Sequence, residues 1–231
     1  MPDIRYLKIV FANELTPDEI PFFRAAVIEK TERSSPYFHN HQGESSFHYR
    51  YPLIQYKSLQ KKAGILCLGE SIEAIHSLFQ QQDMVLRVGN RTEKFLIERL
   101  DLDQVTVNLT EQPRRYFLKD WQALNQENYR KYAALPDQAA RLAFLEKILT
   151  GHLLAFAEGI NWRILNPIKL QINELQHQGR RKFKAQQIET FSLRFEVNLN
   201  LPNFIGLGKG SSLGFGVVRK VRREEGFSPS L

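Results

Sequence analysis

From Ser192 to Leu201 the chain alternates without a break. Leu193, Phe195, Val197, Leu199 and Leu201 fall on one side; Ser192, Arg194, Glu196, Asn198 and Asn200 fall on the other. A period of two marks a half-buried β-strand. Nearer the start, the stretch 4–12 (IRYLKIVFA) is rich in β-branched and aromatic residues and predicts a well-buried strand. Thr16-Pro17-Asp18-Glu19 then opens a helix: Thr16 can cap free amides, Pro17 suits the first helical position, and Glu19 completes a capping box. Ile20, Phe23 and Val27 form its apolar stripe. Beyond a polar stretch (31–47), HYRYPLIQYKSL and KAGILCLG predict two strands joined at Gln60-Lys61-Lys62, and Pro52 marks an edge or a bulge in the first. ESIEAIHSLFQQQ repeats apolar residues at helical spacing (Ile72, Ile75, Phe79), and MVLRVGN predicts another strand.

The order strand, helix, strand, strand, helix, strand is the split βαβ, or ferredoxin-like, pattern, here finished by about residue 90. In the remainder, KFLIERLDLDQVTVNL reads as one or two strands. Leu142, Leu145, Leu149, His152 and Phe156 line one face of a helix that opens near Asp137 and stops at Gly159. The 192–201 strand leads into a glycine-rich stretch, and FGVVRKV returns as the last strand. A second ferredoxin-like unit, elaborated between 112 and 135, fits this order. The expected fold is therefore α+β, a tandem of ferredoxin-like (RRM-like) domains covering residues 1–90 and 91–231. The halves share no sequence repeat.

Composition agrees with two small domains. The 231 residues are 42% hydrophobic and include 16 Phe, enough for one large core or for two of about a hundred residues each. Lys and Arg number 32 against 25 acids, so the formal charge is +7, which points to a polyanionic partner or to a soluble basic surface. The single cysteine, Cys67, sits in the apolar run Ile65-Leu66-Cys67-Leu68 and reads as a buried small hydrophobe, leaving neither a disulfide framework nor a cysteine zinc site. No apolar run approaches the roughly 18 residues of a membrane span, and no signal peptide precedes the first strand. A cytoplasmic protein without membrane attachment is expected.

PNFIGLGKGSSLGFGVVRKV (202–221) crowds Gly206, Gly208, Gly210, Gly214 and Gly216 into eleven positions and follows them with basic residues. Glycine can serve positive φ, or can remove side chains so that a ligand reaches the backbone amides. A P-loop is excluded because Gly210, not Ser or Thr, follows Lys209. A dinucleotide fingerprint is excluded because Ser211 stands where its third glycine belongs and a strand, not a helix, comes next. A flexible hairpin remains open. So does a concave run of amides that, with Lys209, Ser211 and Ser212, grips a phosphate backbone.

GLGKGSSLGFG resembles the C-terminal glycine-rich loop of the CRISPR-associated RAMP superfamily. With HNH, YRYPLIQYK, LNQENYRKY and LPNFIGLGKGSSLGFG, the chain from about 37 to 221 resembles the stand-alone endoribonucleases that cut precursor CRISPR RNA within its repeats. The resemblance implies a RAMP-type pair of ferredoxin-like domains, in agreement with the element order. It implies CRISPR repeat RNA, precursor and mature guide, as partner, and metal-independent cleavage without a cofactor. It leaves homodimer formation and membership of a CRISPR effector complex open.

Metal-free RNA cleavage needs a base for the 2′-hydroxyl proton, an acid for the departing 5′-oxygen and cations for the phosphorane charge. The segment 34–57 holds His39, His41 and His48, and no acid lies between Phe47 and Gly69. In the resembled family a histidine in the loop after the first helix takes the proton-transfer role. His41 matches that position, with His39 and His48 as alternatives. Lys57 is a candidate charge stabiliser and Tyr37 an orienting hydroxyl. His39 with His41 makes a poor metal site without further ligands. His76 and His152 read as structural, and His177 as exposed in a turn.

Three stretches interleave basic and aromatic residues: HYRYPLIQYK, RRYFLKDW and RRKFKAQ. Such mixtures suit RNA, since cations meet phosphates and rings stack on unpaired bases; the alternative is a solvated strand face with its aromatics turned inward. Candidate RNA contacts are Arg50, Arg180, Arg181, Lys182 and Lys184, together with Lys209, Ser211, Ser212 and the glycines of the loop. An endoribonuclease and a non-catalytic RAMP subunit that binds guide RNA both fit these features. A structural ferredoxin-like dimer, whose glycine stretch is only a turn, fits them less well.

Overall fold

The computed structural model describes residues 2–31, 51–80, 83–183 and 186–221, and within them the side chain of Lys182 is left undescribed. The strands are β1 (Asp3–Glu14), β2 (Ile54–Leu59), β3 (Lys62–Leu68), β4 (Val85–Val88), β5 (Arg91–Lys94), β6 (Ile97–Thr106), β7 (Leu109–Trp121), β8 (Leu170–Phe183), β9 (Gln186–Leu199) and β10 (Val217–Lys220). The helices are α1 (Ile20–Lys30), α2 (Ser71–Phe79), α3 (Gln126–Ala133) and α4 (Gln138–Gly159). The chain divides into two compact units. The first comprises Met1–Thr106, Leu154–Ile164 and Gly210–Gly214; the second comprises Val107–Leu153, Leu165–Lys209 and Phe215–Leu231.

In the first unit four antiparallel strands lie in the order β2-β3-β1-β6. Leu7, Ile9 and Phe11 of β1, Ile54 and Tyr56 of β2, and Ile65 and Cys67 of β3 turn one face of the sheet toward Phe23 and Val27 of α1 and Ile72, Ile75 and Leu78 of α2. Phe23 stacks on Phe95 at 5.3 Å between ring centroids, which adds a specific contact to the apolar burial. The first helix begins as the capping sequence requires: Glu19 reaches back to accept from the Thr16 amide at 2.8 Å. Gln60 and Lys61 both adopt positive φ (52° and 66°), the two-residue turn whose twist matches a hairpin.

Three expectations change in detail. The MVLRVGN strand exists as β4, but it pairs with β5 in a separate hairpin, and β6 closes the sheet as the fourth strand. The buried stripe of α2 runs through Leu78, while Phe79 is 37% exposed. His177 belongs to β8, at a register irregularity, rather than to a turn.

The second unit repeats the topology with the order β10-β7-β9-β8. Leu193, Phe195, Val197 and Leu199 of β9 are buried, together with Tyr116 and Leu118 of β7 and Leu145, Leu149 and Leu153 of α4. Both units therefore carry the strand order of the ferredoxin-like fold. In the second, the crossover from β9 to β10 holds the glycine-rich stretch where a helix would stand, with one short 3₁₀ turn at Ser211–Leu213. Among the described residues, no helix is long and apolar enough to cross a membrane.

Candidate nucleic-acid interface

The glycine stretch is held from β7. The Lys209 amide donates to the Gln122 carbonyl (3.3 Å), the Gly216 amide to the Asp120 carbonyl (3.0 Å), and the Leu207 amide to the Gly216 carbonyl (2.8 Å). Asp120 can offer its carbonyl there because β7 is irregular between Leu118 and Trp121, and Asp120 itself sits at φ 50°. Upstream, the Tyr116 hydroxyl accepts from the Leu201 amide (2.9 Å) and donates to the Leu199 carbonyl (3.0 Å), fixing the chain where it leaves β9.

At three of the glycines these contacts set how much room a side chain would have. A Cβ on Gly216 would lie 1.9 Å from the Leu207 carbonyl oxygen, and φ there is +61°. A Cβ on Gly208, at φ +80°, would lie 2.7 Å from the Trp121 indole nitrogen and 3.0 Å from the Gln122 carbonyl oxygen. Gly214 leaves room for the Ile20 side chain, 2.5 Å from where its Cβ would be. At these positions the protein's own backbone and side chains fill the space a side chain would need. Ser211 and Ser212 are 2% and 8% exposed, whereas Lys209 is exposed to solvent.

Lys57 reaches the same segment. On β2, Ile54 and Tyr56 face the core, so Gln55 and Lys57 fall on the other side of the sheet; both are nevertheless buried, Lys57 at 1% exposure. Its Nζ donates to the Ser211 carbonyl at 3.0 Å. Burial depresses the ammonium, whose pKa falls to about 7, and among the described residues no carboxylate pairs with it. The neighbouring Tyr56 hydroxyl is buried and has no hydrogen-bond partner among the described residues. His39, His41, His48, Tyr37, Arg50 and Lys184 lie outside the described residues, as does the side chain of Lys182. Among the described residues, no three His, Cys, Asp or Glu side chains gather as a metal would require.

The basic stretches prove unequal. In RRYFLKDW, Tyr116 and Trp121 turn inward, while Arg114, Arg115 and Lys119 are exposed and Arg115 pairs with Glu196 at 2.6 Å. In RRKFKAQ, Arg180 is exposed, but Arg181 lies over the Phe215 ring at 4.4 Å and 3.9 Å from Asp120. Phe183 meets Phe215 edge-on at 5.5 Å. The β8–β9 hairpin thus grips the flank of the glycine stretch with one arginine and presents the other to solvent. Of the remaining histidines, His76 is exposed, and His152 accepts the Trp121 indole N–H on Nδ1 at 3.1 Å, its pKa pushed down to about 4 by burial.

Sequence reasoning passed over Tyr116, Asp120, Gln122 and Phe215, the groups that hold the stretch in shape. The signal for Asp120 was weak: a charged residue at the end of an aromatic strand.

Comparisons with known proteins follow the same lines. The Cas6b N-terminal domain matches residues 2–106 and the Cas6b C-terminal domain matches residues 108–221. The uncharacterized protein MJ0978 of Methanocaldococcus jannaschii is 34% identical over 105 residues, which are 46% of this chain and 70% of that protein. A crystal structure of Cas6b superposes over 95% of this chain and all of its own, with a TM-score of 0.85 and 28% identity. A second, described as the CRISPR RNA processing endoribonuclease Cas6b, covers the same shares with a TM-score of 0.72 and 26% identity. With both halves matched in order and the fold shared end to end, the chain belongs to the Cas6b family.

Proposed function

We propose that this protein is a metal-independent endoribonuclease that cleaves CRISPR repeat RNA into mature guide RNA. The observation that carries the reading is the end-to-end match to Cas6b, including a structure described as a CRISPR RNA processing endoribonuclease. In the proposed reaction the 2′-oxygen attacks phosphorus, the P–O5′ bond breaks, and a 2′,3′-cyclic phosphate and a 5′-hydroxyl result. His41 takes the 2′-hydroxyl proton or returns one to the 5′-oxygen, with His39 two residues away as the alternative. Tyr37 orients the reacting strand. Lys57 contributes positive charge through the turn it supports, its amine fixed on the Ser211 carbonyl rather than offered to solvent. Arg50, Arg180, Lys182, Lys184 and Lys209 meet phosphates, and the glycine segment, Gly206 to Gly216, supports the strand.

The test is a panel of repeat RNAs incubated in EDTA with wild type, His39→Ala, His41→Ala and His48→Ala. Cleavage by wild type, a cyclic-phosphate end and loss of turnover in His41→Ala are expected. A single 2′-deoxy group at the cut should protect the substrate. Tight binding with no cleavage of any member would instead identify a non-catalytic guide-RNA subunit, and full activity in all three variants would end the histidine mechanism.

A further inference from the structure

Past Phe191 the β8–β9 hairpin loses its third strand. The last pairing of β7 sets Trp121 beside Phe191, so among the described residues 179–183 and 186–190 pair as strands only with each other. A two-stranded ribbon is marginal in water and needs something to pack on. Alternation gives this one two faces. Arg180 is exposed on the first. On the second, Arg181 and Phe183 both settle on Phe215: the guanidinium lies over its ring at 4.4 Å, and the Phe183 ring meets it edge-on at 5.5 Å. Phe215 is 1% exposed and the Arg181 side chain 14%, so the cation sits on the ring with little water around it, where such a contact is strongest. Phe215 adjoins Gly216 in the chain. Asp120, whose carboxylate lies 3.9 Å from Arg181, accepts the Gly216 amide on its carbonyl at 3.0 Å and donates its own amide to the Ser192 hydroxyl at 3.1 Å. Arg181 thus touches both partners of the contact that places Gly216, and Gly216 in turn accepts from Leu207 at the other end of the glycine segment.

We propose that Arg181 is a positioning residue for RNA cleavage: it joins the hairpin that grips RNA to the ends of the glycine segment, so that a strand captured by the one is presented in register by the other. Resting on the endoribonuclease reading above, this role needs no contact between Arg181 and RNA. The guanidinium is suited to it, because its flat face covers a ring while its edge stays directed at a carboxylate, which the compact ammonium of a lysine does not reproduce. A side chain that only stabilised the fold would lower the folded fraction and scale binding and turnover alike. A positioning side chain alters the chemical step and spares binding, since a misplacement of about 1 Å can cost up to roughly a hundredfold in rate.

The test uses the full chain with a repeat RNA and with the same RNA carrying a 2′-deoxy group at the cut, for wild type, Arg181→Ala, Phe215→Leu and the double variant, with melting curves to verify folding. The deoxy RNA gives dissociation constants, the unmodified RNA gives single-turnover rates at saturating enzyme, and amide exchange of Leu207 and Gly216 is followed with and without the deoxy RNA. Arg181→Ala should bind as wild type does and cut roughly tenfold or more slowly. Phe215→Leu should show the same split, and the double variant should be no slower than either single one, because both remove one link. RNA should slow exchange of the two amides in wild type and not in Arg181→Ala. A wild-type rate in Arg181→Ala overturns the proposal. So does a raised dissociation constant with the saturating rate intact, which would make Arg181 an RNA contact. If wild type binds RNA and cuts none, the cleavage reading fails by itself and amide exchange decides the link: protection lost in Arg181→Ala upholds the join between hairpin and glycine segment, and protection retained ends it.

Discussion

Lys57 Nζ lies 3.0 Å from the Ser211 carbonyl oxygen, 154 residues away in sequence, and is buried with that oxygen as its acceptor. The folded chain binds the Lys57 proton with a pKa of about 7, against 10.5 for an ordinary lysine. Between those values the unfolded chain holds a proton that the folded chain has released, so stability rises with pH across the window and is lost as pH falls through 7. Wild type should gain about 3 kcal/mol between pH 7 and 9.5 that Lys57→Met does not. Urea denaturation at the two pH values measures the difference. Lys57→Met should also loosen the turn and lower cleavage while leaving stability at pH 7 undiminished.

His152 works on the acid side. Its imidazole is kept neutral by burial, with a folded pKa of about 4 against an ordinary 6.5, and Nδ1 must stay unprotonated to accept from Trp121. Stability should therefore fall as pH drops from 6.5 toward 4, by about 2 kcal/mol at pH 4.5 after allowing for partial exposure. His152→Gln, which cannot titrate, should flatten that slope in thermal melts. Tryptophan fluorescence would report whether the Trp121 environment survives.

Gly216→Ala should be among the most damaging single-methyl additions to this chain. It forces a Cβ to 1.9 Å from the Leu207 carbonyl oxygen at φ +61°, and should cost about 2 kcal/mol or more by denaturant midpoint. Lys209→Ala, which removes an exposed side chain and keeps the backbone contact to Gln122, should leave stability unchanged and weaken RNA binding.

Arg180 and Arg181, adjacent in sequence, should separate by assay. Arg181→Ala removes the cation over Phe215 and the contact with Asp120, and should lower stability by about 1 kcal/mol. Arg180→Ala should leave stability alone and reduce the slope of log affinity against log salt by about one unit, if Arg180 meets a phosphate. Binding isotherms at several salt concentrations, beside melting curves, distinguish the two.

Much of the fold was legible because local chemistry and tertiary structure agree. The alternation of β9, the Thr16–Glu19 cap and the Gln60-Lys61 turn each act within a few residues. Pairing partners are a different matter. β4, with Leu86 and Val88 inward, reads as a good sheet strand, and nothing local reveals that it pairs with β5 while the more polar β6 joins β1. In α2, residues 78 and 79 both continue a stripe begun at 72 and 75, and only packing selects Leu78. The site was harder still. Lys57 was legible as a candidate charge stabiliser, but its burial was not, because the covering segment arrives from beyond residue 209. Its one clue was the absence of any acid between Phe47 and Gly69. The glycines were legible as a motif, but their contacts with Trp121, Gln122 and Leu207 depend on a β7 irregularity at Asp120 that no spacing announces.

The hydrogen bond from Leu207 to Gly216 makes the intervening chain a noose whose neck is already drawn tight. The entropy of closing it is settled during folding rather than on docking. On the proposed reading, an RNA strand laid against it would meet a rigid seat, and the affinity of that encounter would not be spent on taming a floppy loop.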